Sequence, residues 1–453
     1  MKRDVSWDGR SIASLFPTFT DLPSLDADGA MVIERGEGPY VFDTEGRRYL
    51  ECNSGLWNMT LGFSDRRLID AARRQYETFP GYHTFFGRSS KPAVELAERL
   101  LELAPVPMSR AFFTNSGSEA NESVVKLLWL MWRGLGQPQR RKLISRRNAY
   151  HGATVMASSL TGEDYVQAFG LPQPEVVMVG CPHAWRFAKP GEDDESFAIR
   201  LAAELDQTIR HEGPDTIAGF FAEPVMGAGG VLVPPATYFR HIQPVLKAYD
   251  IPLVCDEVIC GFGRTGNLWG AETVGCSPDI IVASKSLSAG YFPMGAVLLS
   301  QEIDDRLTLA CKEWDEFPHG FTAGGHPVGC AVSLEALRII VEEGVIDHIR
   351  EISPIFLGRL NALSDHPLVG EARGVGLMGA LELVANRETK ESFPSDLRIG
   401  ERFAHMAKRE GIIIRPLGAS LVIAPPFILD SGHIDHLFSV IESVLGLMQQ
   451  DIG

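Results

Sequence analysis

Two apolar runs in this chain each end in a residue suited to chemistry. Pro252-Leu253-Val254-Cys255 stops at Asp256, and Ile280-Ile281-Val282-Ala283 stops at Ser284-Lys285. Both runs have the length and β-branching of buried parallel strands. In open α/β sheets, ligands bind outside the carboxyl ends of the strands. An acid and a lysine delivered there supply a carboxylate for a pyridinium nitrogen and an amine for a Schiff base. Pyridoxal phosphate requires that pair. Each residue alone also fits a plainer role, since a strand-end Asp often caps a helix and a strand-end Lys is often solvated.

A phosphate-bearing cofactor also needs a cradle. The run Phe112-Phe113-Thr114-Asn115-Ser116-Gly117-Ser118 turns from an apolar strand directly into a helix with apolar residues at 124, 125, 127, 128 and 131. Gly117 lets backbone approach closely, Ser116 and Ser118 carry hydroxyls, and a helix N-terminus presents free N–H groups at its positive dipole end. Taken alone, the stretch is a serine N-cap with Glu119 or Glu122 as the capping acid. Beside Asp256 and Lys285, the cradle is the better account. Tyr150-His151-Gly152 brings to the same rim an aromatic ring able to stack on a pyridine. Glu223 ends another strand in an acid, and Phe321-Thr322 lies in a glycine-rich loop able to add a hydroxyl and an N–H.

The elements that must position these residues are legible as patterns. Runs beginning at Arg110, Lys142, Glu175 and Thr216 join the two opening strands, with helical spacing over 121–133, 197–212 and 236–249 between them. That alternation predicts an α/β fold with a parallel or mostly parallel sheet and covering helices. Residues 38–55 read as a hairpin around Asp43–Gly46, and helices are expected from Asp65 to Tyr76 and from Pro92 to Leu103. The charged stretch 186–197 reads as a surface insertion. After His326 the pattern becomes α+β, with helices over 327–343, 399–410 and 431–448 and paired strands over 368–384. The expected organisation is an N-terminal segment (1–60) joining a small domain, a large cofactor-binding domain (61–325), and a small C-terminal domain (326–453).

Composition excludes several classes of function. The 453 residues are 45% hydrophobic with a net charge of −16, which argues against nucleic acid or an anionic membrane as main partner. No apolar run approaches the ~20 residues of a membrane span. Seven cysteines without a CxxC pair point to reduced thiols and a cytoplasmic location. Two GxGxxG matches, at Gly261–Gly266 and Gly374–Gly379, open no helix within a βαβ unit, so nucleotide binding is not expected of either. His433 and His436 lack further metal ligands and read as a solvated helix face.

In their order and spacing, NSGSEAN, YHG, FFAEPV, DEVICGFGRTG, SKSLSAG, FPHGFTAGGHPVGCA and RPLG resemble a class III aminotransferase. They resemble most the ω-aminotransferases that pass an amino group from an amine to pyruvate. The resemblance implies a fold type I enzyme of pyridoxal 5′-phosphate with a mostly parallel seven-stranded sheet. It also implies a homodimer whose subunits share active sites, and leaves open whether dimers pair into tetramers. Lys285 would carry the cofactor and shuttle a proton, and Asp256 would hold the ring N–H. Tyr150 and Val258 would sandwich the ring, with His151 and Glu223 supporting. Ser116, Gly117 and Ser118 would bind the phosphate, joined by Phe321 and Thr322 of a second subunit. Trp57, Phe85, Phe86, Tyr150, Ala153 and Ala228 would shape the substrate pocket, and Arg415 would grip a keto-acid carboxylate. A single such arginine suits pyruvate better than 2-oxoglutarate. Other class III members, acting on taurine, 4-aminobutyrate, ornithine or a diamine, remain the alternative.

Overall fold

The computed structural model describes residues 6–452; positions 1–5 and 453 of the expected terminal segments lie outside them. The centre of the molecule is a seven-stranded sheet. Its strands in chain order are β1 (Arg110–Thr114), β2 (Lys142–Arg146), β3 (Val176–Val179), β4 (Ile217–Ala222), β5 (Leu253–Asp256), β6 (Ile280–Ala283) and β7 (Gly295–Leu299). Their spatial order is β1-β7-β6-β5-β4-β2-β3. Only β7 runs against its neighbours; the pairs β6–β5, β5–β4, β4–β2 and β2–β3 are parallel. Every residue of β4, β5, β6 and β7 is buried, as expected when helices cover both faces.

The sequence reading assigned six of these strands and not β7. Gly295-Ala296-Val297-Leu298-Leu299 is a short continuous apolar run, which periodicity alone cannot classify. A second omission is the 18-residue helix Val345–Ala362, which contains Pro354. A mid-helix proline removes one ladder hydrogen bond and masks the helical signal.

Two small sheets flank the large one. Arg48–Glu51 pairs in parallel with Ile412–Ile413, so residues near both ends of the chain share a sheet. Val369–Val375, Met378–Leu383, Ser420–Ile423 and Arg415–Leu417 form an antiparallel sheet. Leu50 and Cys52 pack into the same apolar core as residues of 349–448. The helix that follows the expected boundary at 326 packs with the large sheet. The helix Pro327–Glu342 buries Val328, Val332, Leu337 and Ile340 in the core of the seven-stranded sheet, so the change of core falls near Gly344. A composition change marked the boundary, but an amphipathic helix takes the core that its apolar face meets.

The stretch 186–197 is mostly exposed, as expected of a surface segment, and both of its ends have further roles. Asp193 accepts from Ser196 N and caps the helix Asp194–Glu212, while Arg186 and Phe187 face an internal cavity. The Gly374–Gly379 motif is the turn of a hairpin, with Val375 opposite Met378.

Candidate active site

Five strand ends of the large sheet converge on one cavity of about 1110 Å³. Its wall includes Ser116–Ser118 after β1, Tyr150 and His151 after β2, Glu223 after β4, Asp256 at the end of β5 and Lys285 after β6. Parallel strands deliver their carboxyl ends to one edge, so residues 170 positions apart meet there.

Asp256 is 3% exposed, and its carboxylate is held from several sides. Oδ2 accepts from Asn121 Nδ2 at 2.7 Å and lies 2.8 Å from His151 Nδ1. Oδ1 accepts from Val258 N at 3.1 Å. Hydrogen bonds to a charged group are worth about 1.5–3 kcal/mol each, so this acid has a fixed orientation. Asn121 also donates to His151 O at 2.8 Å. Sequence reading missed Asn121, because a helix-interior Asn in an apolar stretch looks like any polar residue. Its signal was the position, one turn into the helix that opens at Gly117.

Lys285 follows β6 with a backbone φ of 45°, a left-handed conformation costing a non-glycine residue about 1–3 kcal/mol. Its amine has no hydrogen bond or ion pair among the described residues. Burial lowers it to about 8, outweighing the charges of Asp256 and Glu223 that act in the opposite direction. Glu223 is 2% exposed; it accepts from Tyr150 N at 3.1 Å and Gly227 N at 3.0 Å. Burial pushes its carboxyl up.

The cradle keeps both roles that the sequence offered. Ser116 Oγ accepts from Glu119 N at 3.1 Å, and Glu119 in turn accepts from Asn115 N at 2.7 Å. Ser118 Oγ accepts from Ala153 N at 3.0 Å. Both hydroxyl protons stay available to an anion at the N-terminus of the helix Gly117–Gly134. A Cβ on Gly117 would stand 2.8 Å from Val258, and one on Gly152 would stand 2.5 Å from Ser118 Oγ. These glycines permit a close approach between cradle, ring wall and Tyr150 loop.

These residues fit pyridoxal phosphate. The cavity holds a buried, unpartnered amine, an oriented carboxylate, a helix N-terminus with hydroxyls, and apolar and aromatic walls at Val258 and Tyr150.

The substrate side divides into two groups. Trp57, Ala228 and Arg415 line the cavity. Trp57 is 1% exposed, with φ 67° and no partner for its indole nitrogen. Phe85, Phe86, Ala153, Phe321 and Thr322 are absent from the wall of this chain's own cavity. Phe85 packs instead beside Gly320, and Thr84 Oγ1 donates to Gly324 O at 3.4 Å. Phe86 is 82% exposed. The aromatic loop and the glycine-rich loop therefore form a second cluster, away from Lys285.

Several wall residues were not foreseen. His183, Arg186, Arg373, Glu382 and Ser420 line the far end. Arg373 binds Glu371 at 2.7 Å and Glu382 at 3.0 Å, while Arg186 reaches Glu382 at 3.2 Å. His183 meets Glu371 at 2.7 Å. Only folding pairs these charges, so spacing carried no sign of them. Thr18, Phe19, Glu163 and Tyr165 complete the rim.

Residues 25–445 match the family model Aminotransferase class-III. The chain superimposes on a PMP-bound aminotransferase from Vibrio fluvialis with a TM-score of 0.97 at 51% identity, covering 99% of each chain. An omega-aminotransferase from Paracoccus denitrificans gives 0.98 at 50%, covering 99% of this chain and 100% of that one. Among curated relatives, Gamma aminobutyrate transaminase 1 of Solanum lycopersicum is 44% identical over 94% of this chain and 83% of its own length. Vanillin aminotransferase of Capsicum chinense is 44% identical over 90% of both.

Proposed function

Given that the chain belongs to the class III aminotransferases, fold type I enzymes of pyridoxal phosphate, we propose that it moves an amino group from a primary amine or ω-amino acid to pyruvate. The two half-reactions alternate at one site. The observation that carries the choice of acceptor is Arg415. Among the described residues it is the one arginine on the cavity wall without an ion pair, since Arg186 and Arg373 are held by Glu382 and Glu371. A single free guanidinium matches a monocarboxylate bidentately and leaves no second fork for a dicarboxylate.

When bound, pyridoxal phosphate supplies an electron sink that acidifies the proton on the amino-bearing carbon. Asp256 accepts the ring N–H and keeps that nitrogen charged; Asn121 and His151 hold its Oδ2 in place. Lys285 would take the carbon-bound proton on Nζ and hold it for return on the cofactor side. A lysine with an amine near 8 is free base often enough for that work near neutral pH. Ser116, Gly117 and Ser118 bind the phosphate, and Tyr150 and Val258 wall the ring. Glu223 fixes the Tyr150 backbone and Arg415 orients the keto acid. Trp57 and Ala228 bound the donor side.

The second aromatic cluster supports a homodimer. Phe85, Phe86, Phe321 and Thr322 would complete the cavity of a second copy, and an 82%-exposed Phe86 suits an interface better than solvent. Six of seven thiols are buried and none is paired, which supports a reducing compartment, the cytoplasm. No described helix is long and apolar enough to cross a membrane.

A second reading has its own support. Several curated relatives bear the name gamma-aminobutyrate transaminase, and Arg415 can equally take the carboxylate of a 4-aminobutyrate donor. An amine panel run with pyruvate and with 2-oxoglutarate separates acceptors by the amino acid formed. Alanine as the main product is expected, and glutamate formed at an equal rate would overturn pyruvate specificity. Borohydride reduction followed by peptide mapping should place the cofactor on Lys285.

A further inference from the structure

The acids facing the cavity are satisfied in all cases but one. Asp256 and Glu223 are bound by the donors already described, and Glu382 is bound by Arg186 and Arg373. One carboxylate differs. Glu163 lines the cavity, is half-buried, and its side chain has no hydrogen bond or ion pair among the described residues. Burial pushes its carboxyl up, and Asp164 beside it adds to the same effect. Arg415 lies on the same wall and forms no ion pair with this acid among the described residues.

Glu163 is also held in place. Gly162 N donates to Ala149 O at 2.8 Å, and Asn148 N donates to Gly162 O at 2.9 Å. The segment is thereby tied to the residues directly before Tyr150. Glu163 begins the short helix Asp164–Phe169, and Tyr165 packs edge-on against Phe19 across the rim at 5.4 Å. A partly desolvated acid without a partner is destabilising, and a cationic ligand relieves that cost.

We infer that Glu163 receives the distal ammonium of the amine donor, so that α,ω-diamines are the preferred donor class at this site. Arg415 and Glu163 then sort the far ends of substrates by charge, one taking carboxylates and the other ammonium groups. This assignment rests on the aminotransferase reading but not on pyruvate as acceptor.

The test is the donor half-reaction of the holoenzyme, followed as loss of the bound cofactor's absorbance without any keto acid. Diamines from 1,3-diaminopropane to 1,6-diaminohexane are compared with monoamines of equal chain length. At the best length the diamine should react about tenfold faster than its monoamine in kcat/KM, the worth of one partly buried charge-assisted hydrogen bond. Glu163→Gln should bring that ratio close to one. Glu163→Asp should keep a preference but move the optimum to a longer diamine. Reading a ratio within each variant cancels any general loss of activity. A wild-type ratio of one or less at every length overturns the assignment, as does a ratio that Glu163→Gln leaves unchanged. Should neither series react, the amine-donor reading falls and this assignment falls with it. Reactive amines with no transfer to pyruvate would count against the acceptor alone.

Discussion

In the role proposed for it, Lys285 acts as nucleophile and proton carrier from a buried position, and both tasks need the neutral amine. Burial supplies it, lowering the amine from 10.5 to about 8. Below that value the free-base fraction grows about tenfold per pH unit. Capture of pyridoxal phosphate by the apoenzyme should therefore accelerate as pH rises from 6 to about 8 and level off above it. Stopped-flow absorbance gives the profile. A rate still climbing steeply past pH 9 would mean that the amine is not shifted. The left-handed backbone at Lys285 aims the amine, while Asn121 and His151 aim Asp256, so both groups are positioned before any ligand arrives.

The sheet that carries Arg415 is fastened to the rest of the molecule by charge. Arg373 Nε donates to Gly230 O at 2.8 Å, and Ser420 Oγ donates to Glu382. Burial pushes the Glu371 carboxyl up, but the His183 hydrogen bond and the Arg373 charge hold it below the usual range. Glu382 is also below it: burial raises it, and Arg373 and Ser420 outweigh that. A carboxyl lowered on folding adds stability above its unfolded value of 4.5 and loses it as pH falls through the folded value. The thermal midpoint should fall on acidification through that window. Arg373→Met should cost about 2–3 kcal/mol at pH 7, because it leaves two half-buried acids short of a partner. It should also flatten the acid limb. Circular dichroism melts from pH 3 to 8 would show both effects, and an acid limb as steep as the wild type's would remove Arg373 from the account.

At the level of the whole molecule, one chain carries Lys285 and one set of walls, while its Phe85–Phe86 and Phe321–Thr322 loops sit together elsewhere. If two copies complete each other's sites, damage to different copies should be repairable. Co-expressing Lys285→Ala with Thr322→Glu should give hybrids with one intact site, and random pairing predicts about a quarter of wild-type activity. Each variant alone should be nearly inactive. No recovery in isolated hybrids would place Thr322 in its own chain's site.

The sequence by itself determined the chemistry and most of the frame. Asp256, Lys285 and the Ser116–Ser118 turn were legible because strand ends and helix starts are local events, marked by where an apolar run stops. Six of the seven sheet strands were legible for the same reason. Tertiary structure alone decided what depends on distant partners. The helix Pro327–Glu342 joined the large core because its apolar face meets that core. Arg186, at the start of a stretch read as a surface insertion, is part of a cavity wall with Glu382 within 3.2 Å. Glu163 stood out only when every other acid on the wall had found its donor. Whether a charge is paired depends on residues that can be 200 positions away, and nothing in the spacing of a chain records that.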